Sequence, residues 1–169
     1  MPRDVLIIRG APGTGKTTTA KHLARCFSKG IVIEVDSFRR MINGISWDSH
    51  QHHFDAIAAA SAAARSYIAA GYRPVIFVDT LGFGSLELAM RALEGTSVSV
   101  YSLVCSTRAL YVRLWRRIRG YRNVRNAIRF NDHIRDDVRE FSTLIDSSRL
   151  AADKVSRKIA MAEGAPACV

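Results

Sequence analysis

Short apolar runs bounded by turn residues alternate along this chain with longer stretches in which apolar positions recur every three or four residues. Val5 to Arg9, Ile31 to Val35, Val75 to Asp79 and Val98 to Cys105 are such runs, rich in β-branched residues, and each reads as a strand. Lys16 to Ser28 places Ala20, Leu23, Ala24 and Phe27 on one face and reads as a helix. A short helix is expected near Phe38 to Ile42, stopping at Asn43-Gly44, with a loop from Gly44 to about Gln51. Phe54 to Ala70 consists largely of strong helix formers and ends at Gly71, a natural C-cap. Ser85 is placed to cap a helix to about Glu94, and Thr107 one from Arg108 to about Arg119. Beyond Gly120 the pattern predicts a helix from about Val124 to Phe141, a short strand at Leu144 to Asp146, and a helix from about Leu150 to Ala162. Strands alternating with helices in this way indicate an α/β chain built on a parallel sheet.

Gly10-Ala11-Pro12-Gly13-Thr14-Gly15-Lys16-Thr17, followed by Thr18, fits Gly-x4-Gly-Lys-Ser/Thr between an apolar strand and a helix. Glycines let such a loop wrap closely, so that successive N–H groups and the helix N-terminus point at phosphates. Lys16 is expected to reach the β- and γ-phosphates of ATP, and the Thr17 hydroxyl to ligate magnesium.

Two aspartates follow strands. Asp79 ends Val75-Ile76-Phe77-Val78 and is placed to organise the metal beside the phosphate loop, although an aspartate there also suits a turn cap. Asp36 follows the second strand, with Arg39 three residues on. A carboxylate there can take the proton of an attacking hydroxyl, and a guanidinium can hold an anionic acceptor or a transferring oxygen; an N-cap is the structural alternative for Asp36. His50, His52 and His53 cluster with Asp48, but their spacing matches no established metal-ligand pattern, so contact with the acceptor is the functional role open to them. Trp47 and Phe54 nearby suit either a substrate pocket or the core.

Charge changes the picture at one segment. The formal net charge is +10, and Arg108 to Arg129 holds eight arginines and no acidic residue. Arg113 and Arg117 share a helix face at i and i+4, while Leu110, Leu114 and Ile118 supply its apolar stripe. Arginines there can stabilise charge on a transferring phosphoryl group, bind a nucleic acid, or form a solvated face.

At 169 residues, 48% of them hydrophobic, one domain spanning 1–169 is expected. No apolar run approaches the roughly 20 residues of a membrane helix, so no membrane partner and a cytoplasmic location are expected. Cys26, Cys105 and Cys168 are widely spaced and read as reduced thiols.

Together these positions resemble the small P-loop kinases that include chloramphenicol phosphotransferase, gluconate and shikimate kinases and the kinase domain of phage-type polynucleotide kinase. The segments that carry the resemblance are GAPGTGKTT, Asp36-Ser37-Phe38-Arg39, Val78-Asp79-Thr80, the helix around Arg113 to Arg117, and the closing Leu144 to Val155. The resemblance implies a three-layer P-loop NTPase fold with a five-stranded parallel sheet in order 2-3-1-4-5 and an arginine-rich helical lid at about 108–140. It further implies Asp36 as the acceptor-activating aspartate, Arg39 at the place of an acceptor-phosphate contact, and Arg113 and Arg117 as lid arginines. Gly44 to His53 matches no substrate pattern of the group.

A small GTPase would need an Asn-Lys-x-Asp element, which is absent, and an oligomeric AAA-type motor would carry Glu where Thr80 follows Asp79. The expected activity is transfer of the γ-phosphoryl group of ATP, with Mg2+, to a hydroxyl of a small molecule or a 5′-hydroxyl polynucleotide, by a monomer or small homo-oligomer. The alternative is a nucleotide-gated module that binds nucleic acid through the basic helix with weak or no transfer.

Overall fold

The structure is a computed structural model that describes residues 3–82, 84–116, 121–137, 139 and 141–165. Five parallel strands form one sheet: β1 (Val5–Gly10), β2 (Ile31–Glu34), β3 (Val75–Asp79), β4 (Val98–Val104) and β5 (Ser142–Asp146). Their order is β2-β3-β1-β4-β5, as the resemblance implied. β1 lies between β3 and β4, with Arg9 in register with Asp79 on one side and Ser102 on the other. The carboxyl ends of the two central strands therefore deliver the phosphate loop and Asp79 to one edge of the sheet, where ligands of open α/β sheets bind.

β1 is buried along its whole length, and its side chains alternate between two cores. Val5 and Ile7 point to one side, with Ile33, Phe77, Ala56, Ile57, Ala60, Leu86 and Leu93. On that side lie α2 (Val35–Arg39), α3 (His50–Ala69) and α4 (Ser85–Ala92). Leu6 and Ile8 point to the other, with Ala20, Leu23, Ile76, Leu103, Val155 and Ile159, beneath α1 (Lys16–Ala24) and α7 (Ala152–Ala162). A strand apolar on both faces needs cover on both, which yields three layers.

α3 buries Ala56, Ala60 and Ala64 on its inner face, where the small side chains bring its backbone close to the sheet. Arg65 of α3 donates to the carbonyls of Ala92 and Glu94, satisfying the open end of α4.

Two further helices carry the arginines, α5 (Thr107–Trp115) and α6 (Val124–Asp136). α6 is pinned to the end of β4 by Asn131, whose side chain exchanges two hydrogen bonds with the Cys105 backbone at 2.9 and 3.0 Å.

Several element bounds differ from the sequence expectation. α3 begins at His50, because Ser49 accepts a hydrogen bond from the His52 N–H and acts as its N-cap. Ser106 rather than Thr107 caps α5, and α4 starts from Gly84 in the left-handed region instead of from a Ser85 cap. α2 starts directly after β2, so Asp36 lies inside its first turn. α6 ends at Asp136, since Asp137 leaves helical geometry to meet a buried arginine. Cys105 is a free, buried thiol, whereas Cys26 is disulfide-bonded, which corrects the expectation of a reduced thiol there.

Candidate active site

The phosphate loop leaves β1 at Gly10 and turns into α1 through two glycines at positive φ, Gly13 at 96° and Gly15 at 94°. Thr14 folds the turn by bonding the Ala11 carbonyl with its N–H and its hydroxyl. Lys16 Nζ donates to the same carbonyl at 3.1 Å, so the ammonium lies across the mouth of the loop. α1 has no acidic residue in its first turn, which leaves the positive end of its dipole to an anion.

The loop is tightly supported from outside. A Cβ on Gly13 would meet Leu110 Cδ2 at 3.1 Å and Leu114 Cγ at 3.2 Å, both from α5. A Cβ on Gly10 would lie 2.5 Å from the Leu103 carbonyl oxygen, which as backbone cannot step aside. Gly13→Ala is expected to cost about 1–3 kcal/mol through its positive φ alone. We expect this to appear as a loss of about tenfold or more in ATP affinity, measured by calorimetric titration.

Thr17 Oγ1 lies 3.5 Å from Glu34 Oε2, at the edge of hydrogen-bond range, and Glu34 also pairs with Lys21 at 3.6 Å. Asp79 is buried at the end of β3. Asp36 is solvent-accessible at the rim, yet protein surrounds it closely enough on its other sides to disfavour its charge. That burial, and then the charge of Asp79, raises its carboxyl above the ordinary aspartate value, while Lys16, Arg39 and Arg40 pull it down. Asp36, Asp79 and Lys16 thus converge beside the loop.

Among the described residues no group of three or more His, Cys, Asp or Glu is arranged to hold a metal alone. Magnesium keeps several waters and takes one or two protein oxygens together with nucleotide phosphates. Thr17 and Asp79 offer such oxygens.

Arg39 is 8% exposed and faces the loop that follows it. Its Nη2 donates to the Trp47 carbonyl at 2.9 Å and the Ser46 carbonyl at 3.4 Å, and its guanidinium carbon lies 4.6 Å from the centroid of the Trp47 ring. Its Nε is buried without a partner. Arg113 turns towards the outside of the phosphate loop, donating to the Gly13 carbonyl at 3.4 Å and the Ser147 carbonyl at 2.6 Å. Arg117 lies outside the described residues.

Two positions that sequence reasoning left unassigned, Ser147 and Arg9, join the site, and His53, for which contact with the acceptor was the role left open, meets Asp79 instead. His53 Nε2 is 2.5 Å from Asp79 Oδ2. Ser147, just beyond β5, donates to the Thr14 carbonyl at 3.0 Å and accepts from Arg113. Arg9, one residue before the loop, is wholly buried. Of Ser147 and Arg9, only the latter left a legible signal, as a charged residue inside an otherwise apolar strand.

A family model described as an AAA domain matches residues 5–141. No curated protein matches the chain. Among solved structures, the tunicamycin resistance protein of Deinococcus radiodurans is similar at 24% identity, with 99% of each chain covered and a TM-score of 0.74. A sugar kinase from a Janibacter species is similar at 17% identity over 95% of this chain and 94% of its own, TM-score 0.71. For a gluconokinase from Sinorhizobium meliloti the figures are 16%, 96% and 94%, TM-score 0.69. At these identities the likeness is one of fold. Thr80 still stands where an AAA-type motor would carry Glu. The match over most of the sequence, on a sheet of order 2-3-1-4-5, makes this chain a member of that AAA-domain family, with the fold of the small P-loop kinases.

Proposed function

We propose that the protein is an ATP-dependent phosphotransferase that moves the γ-phosphoryl group to a hydroxyl acceptor. The observation that carries this is the convergence of Asp36, Asp79 and Lys16 beside a phosphate loop whose N–H groups and helix end favour an anion.

The triphosphate sits on the loop backbone and the N-terminus of α1, with Lys16 on the β- and γ-oxygens. Magnesium, when bound through Thr17 and Asp79, neutralises charge on the β- and γ-phosphates. The acceptor hydroxyl approaches from the Asp36 side. Its proton passes to the Asp36 carboxylate as its oxygen bonds to the γ-phosphorus; the bond from phosphorus to the bridging oxygen breaks, and ADP leaves. Arg39 and the Trp47 ring border the acceptor's entry, and a sugar-like polyol or a nucleotide sugar suits an entry built from an aromatic face and an arginine. The fold relatives named for sugars support that acceptor class. Arg113 and Arg117 are assigned to the lid, Arg113 acting through the loop it braces.

The test is transfer of radiolabelled γ-phosphate from ATP-magnesium to a panel of sugars, nucleosides, nucleotide-sugar and phenicol-type antibiotics and 5′-hydroxyl oligonucleotides. Label on one acceptor class is expected. No label on any acceptor, with ATP still bound, would sink the kinase proposal.

One observation favours a second reading, a nucleic-acid-binding module. α5 exposes Tyr111 and Trp115 between Arg108 and Arg116, and Arg122 and Arg125 are exposed on or near α6. Arginines interleaved with exposed aromatics can hold phosphates and stack bases. Binding to single-stranded RNA that falls steeply with salt and survives loss of Asp36 would favour it.

A further inference from the structure

His52 and His53 are adjacent in the first turn of α3, and each is spent on a different part of the site. His52 Nδ1 accepts the Ser46 N–H at 3.1 Å, while the Ser46 carbonyl receives Arg39. Ser46 is thus gripped from both sides, and with it the loop carrying Trp47. One residue on, His53 Nε2 lies 2.5 Å from Asp79 Oδ2, with the two side chains only 17% and 6% exposed.

A carboxylate oxygen accepts and cannot donate, so the imidazole must present Nε2–H to Asp79. The turn is itself held: Ser49 caps it through the His52 N–H, and the His53 N–H donates to the Ser49 carbonyl. The imidazole therefore approaches Asp79 from a fixed platform. It occupies Oδ2 and leaves Oδ1 to face other partners. The carboxyl of Asp36, the other carboxylate of the site, is raised by burial and then by the charge of Asp79.

We propose that His53 is a positioning residue that orients Asp79 for the metal, and that the His52-His53 turn couples the seating of the acceptor loop to that orientation. Two carboxylates that serve one site, with the charge of Asp79 acting on Asp36, need their roles separated. The imidazole commits Asp79 to the metal side, and Asp36 is left to receive the acceptor's proton. Partners of metal-ligating carboxylates fix the direction of the ligand oxygens, and their loss typically lowers metal affinity or activity by about 10–100-fold. The inference rests on the metal role given to Asp79 above.

The experiment titrates magnesium against binding of a fluorescent ADP analogue, and so needs no knowledge of the acceptor. His53→Ala is expected to raise the magnesium concentration for half-maximal binding by about tenfold or more, with metal-free nucleotide affinity unchanged. His53→Gln, which keeps an N–H donor, should recover most of that shift. Asp79→Asn serves as reference, and thermal melting checks that each variant folds. If His53→Ala matches the wild type while Asp79→Asn shifts the curve, the positioning role is overturned and the kinase proposal stands. If Asp79→Asn also changes nothing, the metal role of Asp79 falls and this inference falls with it. Should His53→Gln be as impaired as His53→Ala, the side chain acts by shape and the hydrogen-bond account is wrong.

Discussion

Asp36→Asn is expected to leave ATP-magnesium binding within about threefold of the wild type and to lower the rate of phosphoryl transfer by about 10²–10⁴-fold, the usual contribution of a positioned base. The loop residues that hold the phosphates, Gly13 to Thr17, keep their backbone geometry without the carboxylate, so binding and transfer separate. The same substitution should raise thermal stability at neutral pH. Burial and the charge of Asp79 raise the Asp36 carboxyl in the folded protein, so the fold prefers its protonated form. That preference favours folding below the ordinary carboxylate value of about 3.9 and is lost as pH rises through the higher folded value. At pH 7 the ionised Asp36 therefore opposes folding, and a neutral amide removes the opposition. A melting curve and a transfer assay on one preparation test both. The wild-type rate should also fall on acidification over a range above that of an ordinary aspartate, as Asp36 gains its proton. A variant that loses transfer and stability together would point to a structural aspartate.

The phosphate loop was legible because its chemistry is local: glycines, lysine and threonine at fixed spacing specify one backbone path between a strand and a helix. The strand order followed from the resemblance, and the alternation of apolar runs with helical periods agreed with it. The His53–Asp79 contact was not legible. It joins residues 26 apart in sequence, and three clustered histidines carry no period that says which one faces inward. The cap at Ser49 decides that, by starting α3 four residues before the alanine-rich pattern becomes recognisable and so turning His53 towards the sheet. Arg39 shows the opposite case. Its spacing from Asp36 suggested a group aimed at an acceptor, whereas the fold commits Nη2 to two loop carbonyls, and the indole of Trp47 covers its face. What it offers an acceptor is the remainder of its guanidinium, within a loop that it helps to hold.

Asp137→Asn should be among the most destabilising single changes in the protein, because it leaves a buried guanidinium without its countercharge. Arg9 is wholly buried. Its Nε donates to Ser102 Oγ at 2.7 Å, and Nη1 to the Leu81 carbonyl at 3.2 Å and to Asp137 Oδ2 at 2.8 Å. Nη2 donates to the Asp137 carbonyl at 2.7 Å. One side chain thus ties β1, β4, the turn after β3 and the exit of α6, and it holds Leu81 at a positive φ of 45°. Removing one partner of a buried pair costs about 3–5 kcal/mol; the lower end applies because Asp137 keeps 17% of its side chain exposed. For a domain of this size each kcal/mol lowers Tm by about 2–4 °C, so a fall of roughly 6–12 °C is expected. Burial by itself would raise the Asp137 carboxyl, but hydrogen bonds from Arg9 and Arg139 outweigh it and hold the group below its ordinary value. Its stabilisation is therefore complete above about pH 4 and lost as pH falls through the lower folded value, so the deficit of Asp137→Asn should shrink in acid. Pairing Arg9→Met with Asp137→Leu should cost less than Asp137→Asn alone, since two apolar groups leave no charge stranded. Arg9 immediately precedes Gly10, and Asp137 closes the arginine-bearing segment. Loosening this pair should therefore weaken nucleotide binding in step with stability, whereas a loss of stability with unchanged affinity would mean that the loop is held without it, by Leu103, Leu110, Leu114, Arg113 and Ser147.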